Sequence, residues 1–164
     1  MTSPVAFKPA PDTGHLIDIL NATHREMLAL CQTLEMIADS LPADIDRTVC
    51  INAARILGPL IARAQDMEEE FIFPEIEKRW AMLPDMTKTI ERLKYEHLED
   101  ICFSEELYDA LMAYGRGVGQ PAPDAFGYML RGFFEGLRRH IAFEQDVIAP
   151  LLERGAPQPT RKLN

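Results

Sequence analysis

Apolar side chains recur at steps of three and four residues along most of the chain, which is the period of α-helices that bury one face. Breaks rich in proline and glycine divide this pattern into four stretches, and no two-residue alternation typical of a strand occurs. The predicted helices run from Thr13 to about Ser40, from after Asp44 to about Trp80, from about Asp85 to about Tyr114, and from Asp124 to about Arg154, with a loop from Gly115 through Pro123 before the last.

Short polar residues and glycine are expected to begin and end these helices. Asp12 or Thr13 is expected to cap the first helix and Asp124 the fourth, because their side chains can accept hydrogen bonds from free backbone N–H groups. Gly155 is expected to close the fourth helix.

The connections predict how the helices pack. Helices joined by short turns lie antiparallel to their sequential neighbours. The sequence therefore predicts an all-α, up-down-up-down antiparallel four-helix bundle over residues 13–154. Residues 1–12 are expected to form a flexible N-terminal arm, and residues 155–164 a flexible C-terminal tail.

Ionisable residues interrupt the apolar seam of every predicted helix. The seams are Ile17, Leu20, His24, Met27, Cys31, Leu34 and Ala38; Cys50, Ala54, Leu57, Ile61, Ala64, Glu68 and Phe71; Ile90, Leu93, His97, Ile101, Leu107 and Leu111; and Phe126, Leu130, Phe133, Leu137, His140, Glu144, Val147 and Leu151. Counted from the helix ends, the five ionisable positions fall within roughly 6 Å of one height in an antiparallel bundle. We therefore expect them to converge in the interior, whereas His15 lies apart near the start of the first helix.

A carboxylate held in an apolar seam is costly unless it is paired, protonated or bound to a cation. Two carboxylates at one level repel each other, and a divalent metal is the simplest compensation. Imidazole and carboxylate ligands suit iron, zinc or manganese, and facing helices of a bundle are a known place for such sites. The residues alone therefore favour a buried metal centre, with the following candidate ligands: His24, Glu68, His97, His140 and Glu144.

Each of these residues also has an ordinary structural interpretation. A single buried histidine is most often a hydrogen-bonded core residue. His140 and Glu144 can form an i,i+4 helix pair, and Glu68 can belong to a solvated acidic face with Glu69 and Glu70. The metal interpretation is favoured because four independent seams supply polar groups at one height.

Two helix-end motifs carry a family resemblance. One is His140-Ile141-Ala142-Phe143-Glu144 followed by Val147-Ile148-Ala149-Pro150, and the other is Glu68-Glu69-Glu70-Phe71-Ile72-Phe73-Pro74. Together with lone histidines on the first and third helices, they resemble the hemerythrin-like (HHE cation-binding) domain family over roughly residues 13–154. The resemblance implies a non-haem di-iron centre bound by the five candidate ligands, with Glu68 and Glu144 as bridging carboxylates.

Two positions depart from the family pattern. Ala64 stands where the second motif should begin with a histidine, and Leu93 stands where oxygen-carrying hemerythrins have an additional histidine. The resemblance implies two iron ions, and Ala64 leaves three outcomes open. These are a di-iron site with water, Gln65, Asp66 or Glu69 in the gap, a mononuclear site, and an empty core neutralised by raised pKa values or histidine pairing.

The composition of the chain disfavours some classes of binding partner and some locations. The net charge of −9 disfavours nucleic acid and anionic membrane surfaces. We expect neither a signal peptide nor a membrane-spanning stretch. Three cysteines without CxxC spacing argue against a disulfide framework and for a reducing, cytoplasmic location, and Cys31, Cys50 and Cys102 are interpreted as small buried groups.

Two functional classes fit these observations. The first is an iron-binding protein that senses or binds oxygen, nitric oxide, redox state or iron, with a small diatomic ligand as a second partner. The alternative is a metal-free helical bundle that acts as a protein-interaction or regulatory module after the loss of a ligand at Ala64. An oxygen-activating enzyme is a weaker third hypothesis because the seams indicate no substrate pocket, and no residue is assigned a catalytic role. The sequence is compatible with a homodimer but specifies no oligomeric state.

Overall fold

The computed structural model describes residues 12–154, and this part of the chain is helical apart from three short connections. The all-α prediction is confirmed for these residues, which contain no strand. None of the helices in this range is long and apolar enough to cross a membrane. The predicted arm (Asp12 excepted), the predicted tail and the proposed helix stop at Gly155 lie outside the described residues.

Four helices follow one another within residues 12–154. The first is Thr13–Asp39, the second joins the segments Arg47–Met67, Glu68–Ile72 and Phe73–Arg79, the third is Pro84–Arg116, and the fourth joins Pro123–Phe143, Glu144–Ile148 and Ala149–Glu153. The first and third helices each pack against the second and the fourth. This arrangement is consistent with a four-helix bundle.

The helix starts differ in part from the predicted caps. Asp12 occupies the N-cap of the first helix, but its side chain accepts no hydrogen bond there. The fourth helix begins at Pro123 after Ala122, so the predicted capping role of Asp124 is wrong. Proline suits the first helical position because its missing N–H has no partner there in any case. Asp46, which the sequence analysis did not single out, caps the second helix by accepting two backbone hydrogen bonds at 2.8 and 3.1 Å.

The third helix is longer than predicted because Gly115 remains helical. A Cβ at this position would lie 2.3 Å from Cγ1 of Ile51 and 3.1 Å from the carbonyl oxygen of Arg47. Glycine therefore allows the second and third helices to approach closely. The helix ends instead at Gly117, whose φ of 71° is in the left-handed region that favours glycine.

Two π-helical segments widen the second and fourth helices just before a proline. Glu68–Ile72 precedes Pro74, and Glu144–Ile148 precedes Pro150. Proline lacks the N–H donor, and in a regular α-helix its ring would clash with the carbonyl four residues earlier. A wider turn, closed by hydrogen bonds to the carbonyl five residues earlier, relieves this clash. Both π segments begin at a carboxylate that the sequence singled out.

The extra residue in each π turn rotates the rest of the helix, so the predicted seam is wrong by one position from the later part of each segment onward. The buried side chains there are Ile72, Ile148 and Leu152, whereas the predicted Phe71, Val147 and Leu151 are only partly buried. All predicted seam positions of these two helices before the π segments, and the carboxylates that open them, are buried. The error therefore has one cause in both helices.

Two further seam positions are wrong. Leu16 is buried in the first helix, where Ile17 was predicted and is only partly buried. In the third helix Ile101 is 37% exposed, and the inward-facing positions are taken by the half-buried Asp100 and the buried Ser104. Polar residues at these two positions hid the true seam from the hydrophobic pattern.

A polar layer separates two clusters of buried apolar side chains. The smaller cluster contains Leu16, Leu20, Ile72, Phe73, Ile76, Ile90, Leu93, Ile148, Ala149 and Leu152. The larger cluster begins in the first helix at Met27, so His24 lies between Leu20 of one cluster and Met27 of the other. In the other three helices Glu68, His97 and Glu144 likewise lie between the two clusters, and His140 lies one turn before Glu144 at the edge of the larger one. The fold therefore holds the ionisable seam residues between two apolar blocks.

All three cysteines are free thiols. Cys31 and Cys50 are buried, as predicted, but Cys102 is exposed, so the prediction of burial is wrong for that residue. Cys102 follows Ile101, whose burial was also predicted wrongly. Both lie on the outer side of the third helix because Asp100 and Ser104 occupy its inward-facing positions.

Candidate metal centre

The five ionisable seam residues lie together in the interior, and each helix supplies at least one of them. All five are buried: His24, Glu68, His97, His140 and Glu144. His15 is exposed and lies apart, as expected. The convergence that the helix-end count predicted is therefore present in the folded chain.

Four of these residues form a compact donor group. Glu68, His97, His140 and Glu144 each offer one ligand atom, and the four atoms lie within 4.8 Å of one another. Atoms at this separation can share one metal ion, because typical bonds from Zn²⁺ to nitrogen or oxygen are about 2.0–2.2 Å long. The second, third and fourth helices thus contribute to a single potential coordination sphere.

His24 contacts this group through Glu144. Nε2 of His24 donates a hydrogen bond to Oε2 of Glu144 at 2.9 Å. The other carboxylate oxygen of Glu144 lies 3.4 Å from Nε2 of His140. Glu144 therefore lies between one histidine of the first helix and one of its own helix.

Several inward-facing polar atoms have no hydrogen-bond partner within residues 12–154. They are Oε1 of Glu68, Nε2 of His97 and Oε1 of Glu144, together with Nδ1 of His24. Nε2 of His97 lies 3.1 Å from Oε2 of Glu68, but the pair lacks the angles of a hydrogen bond. Unpartnered buried polar atoms are rare and costly. A cation among these oxygens and nitrogens would satisfy them, so the donor set fits a metal.

The pKa values describe how the protein carries these groups without a metal. Burial raises the pKa of the Glu68 carboxyl well above its ordinary value, and the charge of Glu144 adds to this effect. Burial opposes ionisation of Glu144 as well, but its contacts with His140 and His24 lower its pKa to about 2. Burial disfavours the charged form of His140, yet its contact with Glu144 raises the pKa to about 9. Near neutral pH the cluster therefore combines an ionised Glu144 and a charged His140 with Glu68, whose carboxyl is shifted toward its neutral form.

Burial also favours the neutral form of the His97 imidazole. Burial lowers its pKa, and the hydrogen bond with Glu69 opposes that shift without overcoming it. The ring stacks on Phe73, with 5.5 Å between ring centroids, and lies 5.1 Å from the ring of His140. A neutral histidine can offer one lone pair to a metal.

Of the three neighbouring side chains that could replace the histidine missing at Ala64, the structure leaves one. Ala64 is buried and Asp66 is exposed. Glu69 contacts the outer nitrogen of His97 at 2.8 Å instead of facing the gap. Gln65 is buried, and its Oε1 has no partner in the described part of the chain. Leu93, at the second departure from the family pattern, belongs to the smaller apolar cluster.

Sequence reasoning missed two carboxylates at the edge of the site. Glu96 contacts Nδ1 of His140 at 3.1 Å, and Glu69 was considered only as a gap-filling ligand. Each contact joins different helices, so spacing along the chain carries no sign of it. The only usable indication was that Glu69 follows Glu68 and Glu96 precedes His97, which places them beside the site.

Comparison with known proteins gives one result. The family model of the hemerythrin HHE cation binding domain matches residues 15–152 of the chain. No curated protein and no solved structure matches it. The matched range contains the whole cluster.

Proposed function

Because the chain belongs to the hemerythrin HHE cation-binding domain family, we propose that residues 13–154 form a domain that binds non-haem iron in its core. The observation that carries this proposal is the group of four buried donors, whose ligand atoms lie within 4.8 Å of one another. Two carboxylates and two imidazoles suit iron, zinc or manganese, and the family resemblance selects iron among them.

We assign four ligands to one cation: Glu68, His97, His140 and Glu144. Each would contribute one atom, so exchangeable ligands could take further positions on an iron ion. His24 would support this centre by holding Oε2 of Glu144 at 2.9 Å, which leaves Oε1 of that carboxylate free for the cation. The proposed centre is therefore mononuclear, with His24 as the fifth residue beside it.

A two-cation centre is the alternative loading state. A second cation beside His24 would need a donor in place of the histidine that Ala64 replaces. Oε1 of Gln65 supports this alternative because it is buried and unpartnered within residues 12–154. In that state His24 and Gln65 would hold the second cation, and Glu68 and Glu144 would serve both cations.

The residues must exchange protons for the metal. At neutral pH His140 is protonated, and burial shifts the carboxyl of Glu68 toward its neutral form. His140 would release a proton before it donates a lone pair, and so would the protonated form of Glu68, whereas Glu144 is already ionised. The positive charge of the released protons is then replaced by that of the cation.

The surroundings suit a small ligand rather than a large substrate. A bound iron supplies a redox-active centre that can take a small diatomic molecule. Apolar clusters lie on both sides of the polar layer. We therefore propose that the protein senses or binds oxygen, nitric oxide, redox state or iron, and we assign no catalytic residue.

The proposal includes the up-down-up-down order of the helices. Contacts at the two ends of the first helix support it. Arg79, at the end of the second helix, donates to Thr13 at the start of the first. Arg131, near the start of the fourth helix, donates to Asp39 at the end of the first at 2.9 Å. Both contacts fit antiparallel partners of the first helix.

We also propose a cytoplasmic location. Its support is chemical: Cys31, Cys50 and Cys102 are all free thiols. Reducing compartments preserve free thiols, whereas oxidising ones favour disulfides.

Metal content tests the proposal directly. Protein purified without a metal-affinity column should be analysed by plasma mass spectrometry before and after anaerobic incubation with Fe(II). We expect close to one iron per chain. Close to two would favour the two-cation state, and a second iron lost in a Gln65→Ala variant would assign that residue to it. No bound iron after loading would contradict the metal proposal.

The second candidate is a metal-free interaction module. It is favoured by the way the cluster compensates its own charge, because Glu144 contacts both His24 and His140, and burial favours the neutral form of Glu68. In that case the polar layer serves only to fix the register of the helices. Removal of metal by a chelator would then leave the melting temperature unchanged.

A further inference from the structure

Two carboxylates outside the donor group contact the outer nitrogens of its histidines. Glu69 contacts Nδ1 of His97, and Glu96 contacts Nδ1 of His140. We infer that Glu69 and Glu96 are positioning residues of the metal centre, each turning one imidazole so that its Nε2 faces the cation. This inference rests on the proposed function.

The geometry at His97 is the clearer of the two. Nδ1–H donates to Oε1 of Glu69 at 2.8 Å, and Nε2 on the other side of the ring lies 3.1 Å from Oε2 of Glu68. A neutral imidazole has one N–H donor and one lone pair. With the proton on the outer nitrogen, the lone pair of Nε2 faces inward. Phe73, stacked on the ring with 5.5 Å between centroids, limits rotation of the imidazole plane.

At His140 the same arrangement has an additional support. Nδ1–H donates to Oε2 of Glu96 at 3.1 Å, and Nε2 lies 3.4 Å from Oε1 of Glu144. Glu96 is itself held by Arg92, whose Nε donates to Oε1 at 2.8 Å. The guanidinium of Arg92 lies over the ring of Phe143, 5.1 Å from its centroid. Both oxygens of Glu96 are thus engaged, and its orientation is defined from two sides.

The two contacts follow one plan along the chain. Glu69 is next to the ligand Glu68 on the second helix and reaches His97 on the third. Glu96 is next to His97 on the third helix and reaches His140 on the fourth. Successive residues on a helix point about 100° apart, so one faces the core and its neighbour faces the flanking helix. Each pair therefore supplies one ligand and orients the ligand of the next helix.

Carboxylates on the outer nitrogen of metal-binding histidines fix the tautomer and strengthen the ligand, and their loss typically costs about 10–100-fold in metal affinity. Glu69 and Glu96 are partly exposed, at 41% and 31% of their side chains, so their replacement should leave the fold intact. Their effect on the metal can therefore be measured in folded protein.

The first experiment measures Fe(II) affinity by anaerobic competition with a chromophoric chelator. We expect Glu69→Ala and Glu96→Ala each to weaken binding about 10–100-fold. Glu69→Gln should lose less, because the amide oxygen still accepts the hydrogen bond. Matched controls are Glu70→Ala and Glu99→Ala, exposed carboxylates beside the same ligands with no hydrogen bond to a histidine within residues 12–154.

An Arg92→Gln variant separates the two partners of Glu96. It removes the ion pair with Arg92 and keeps the contact with His140. We expect its affinity to stay closer to that of the wild type than the affinity of Glu96→Ala. If Arg92→Gln weakens binding as much as Glu96→Ala, the effect comes from the ion pair, and the role of Glu96 in orienting His140 is overturned.

The second experiment needs no metal. Nitrogen-15 chemical shifts of His97 in the metal-free protein at neutral pH should report a proton on Nδ1, and Glu69→Ala should shift the population toward the Nε2–H tautomer. A proton on Nε2 in the wild type would overturn the inference for His97. Wild-type iron binding with unchanged affinity in both alanine variants would overturn the inference alone. A wild type that binds no iron would overturn the proposed function and this inference with it.

Discussion

Glu144 is fully buried, and its two oxygens face different histidines. Its pKa of about 2 expresses how strongly those contacts favour the ionised form over the opposing effect of burial. Its position in an otherwise apolar seam was visible in the sequence. Its contact with His24 was not, because 120 residues separate the two.

Glu144→Ala should remove most of the bound iron and destabilise the protein. The variant loses a proposed ligand and leaves His24 and His140 without the carboxylate that both contact. Breaking a buried pair of this kind costs about 3–5 kcal/mol in free energy of unfolding. Iron content and urea unfolding measure the two effects, with Glu70→Ala as an exposed control. Full iron content and full stability would show that Glu144 has been assigned wrongly.

The cysteines give a second prediction at this scale. Burial raises the pKa of the Cys31 and Cys50 thiols to about 11, although nearby groups such as Arg138 at Cys31 oppose the shift. Only the thiolate reacts with a disulfide reagent, so a raised pKa leaves little reactive form at pH 8. We expect one fast-reacting thiol per folded chain, the exposed Cys102, and three after unfolding. A Cys102→Ser variant that keeps a fast-reacting thiol would contradict this assignment.

At the scale of elements, the main correction concerns the ends of the second and fourth helices. Periodicity predicted both helices, because a three-four pattern persists whether or not one turn contains an extra residue. The prolines at positions 74 and 150 marked where the turn widens, but a proline is also compatible with a bend or a helix end. Packing against the neighbouring helices determines which of these outcomes occurs, because each outcome buries a different set of side chains.

The shifted seam can be tested with one pair of substitutions. Ile148→Ala should lower the free energy of unfolding by about 2–5 kcal/mol, because it removes a fully buried side chain. Val147→Ala should cost much less, since Val147 is only partly buried. Thermal or urea unfolding of the two variants distinguishes the π-helical register from a regular α-helix. A larger loss for Val147→Ala than for Ile148→Ala would support the regular register and contradict the structure.

At the scale of the whole molecule, the fold places a polar layer between two apolar clusters. Within residues 12–154, this layer contains buried atoms of Glu68, His97 and Glu144 that have no hydrogen-bond partner. Their cost is part of the folded state only, because water solvates the same atoms in the unfolded chain. A cation that binds the folded chain should therefore stabilise the whole domain.

Iron should raise the melting temperature. At free Fe(II) 100-fold above the dissociation constant, binding adds about 2.7 kcal/mol to the free energy of unfolding. For a chain of this size that corresponds to roughly 5–11 °C. Anaerobic calorimetry with Fe(II) and with excess chelator measures the difference, and Glu144→Ala should show little shift. Equal melting temperatures in both conditions would favour the metal-free module instead.

The sequence by itself determined the all-α fold, the approximate extent of four helices and the five ionisable residues that meet in the core. These follow from local periodicity and from counting residues along helices, which need no knowledge of neighbours. The tertiary structure decided the register from each π segment onward, the inward position of Asp100 and Ser104, and the outer contacts of Glu69 and Glu96. Each of these depends on which side chains of one helix meet those of another, and no pattern within a single helix encodes that meeting.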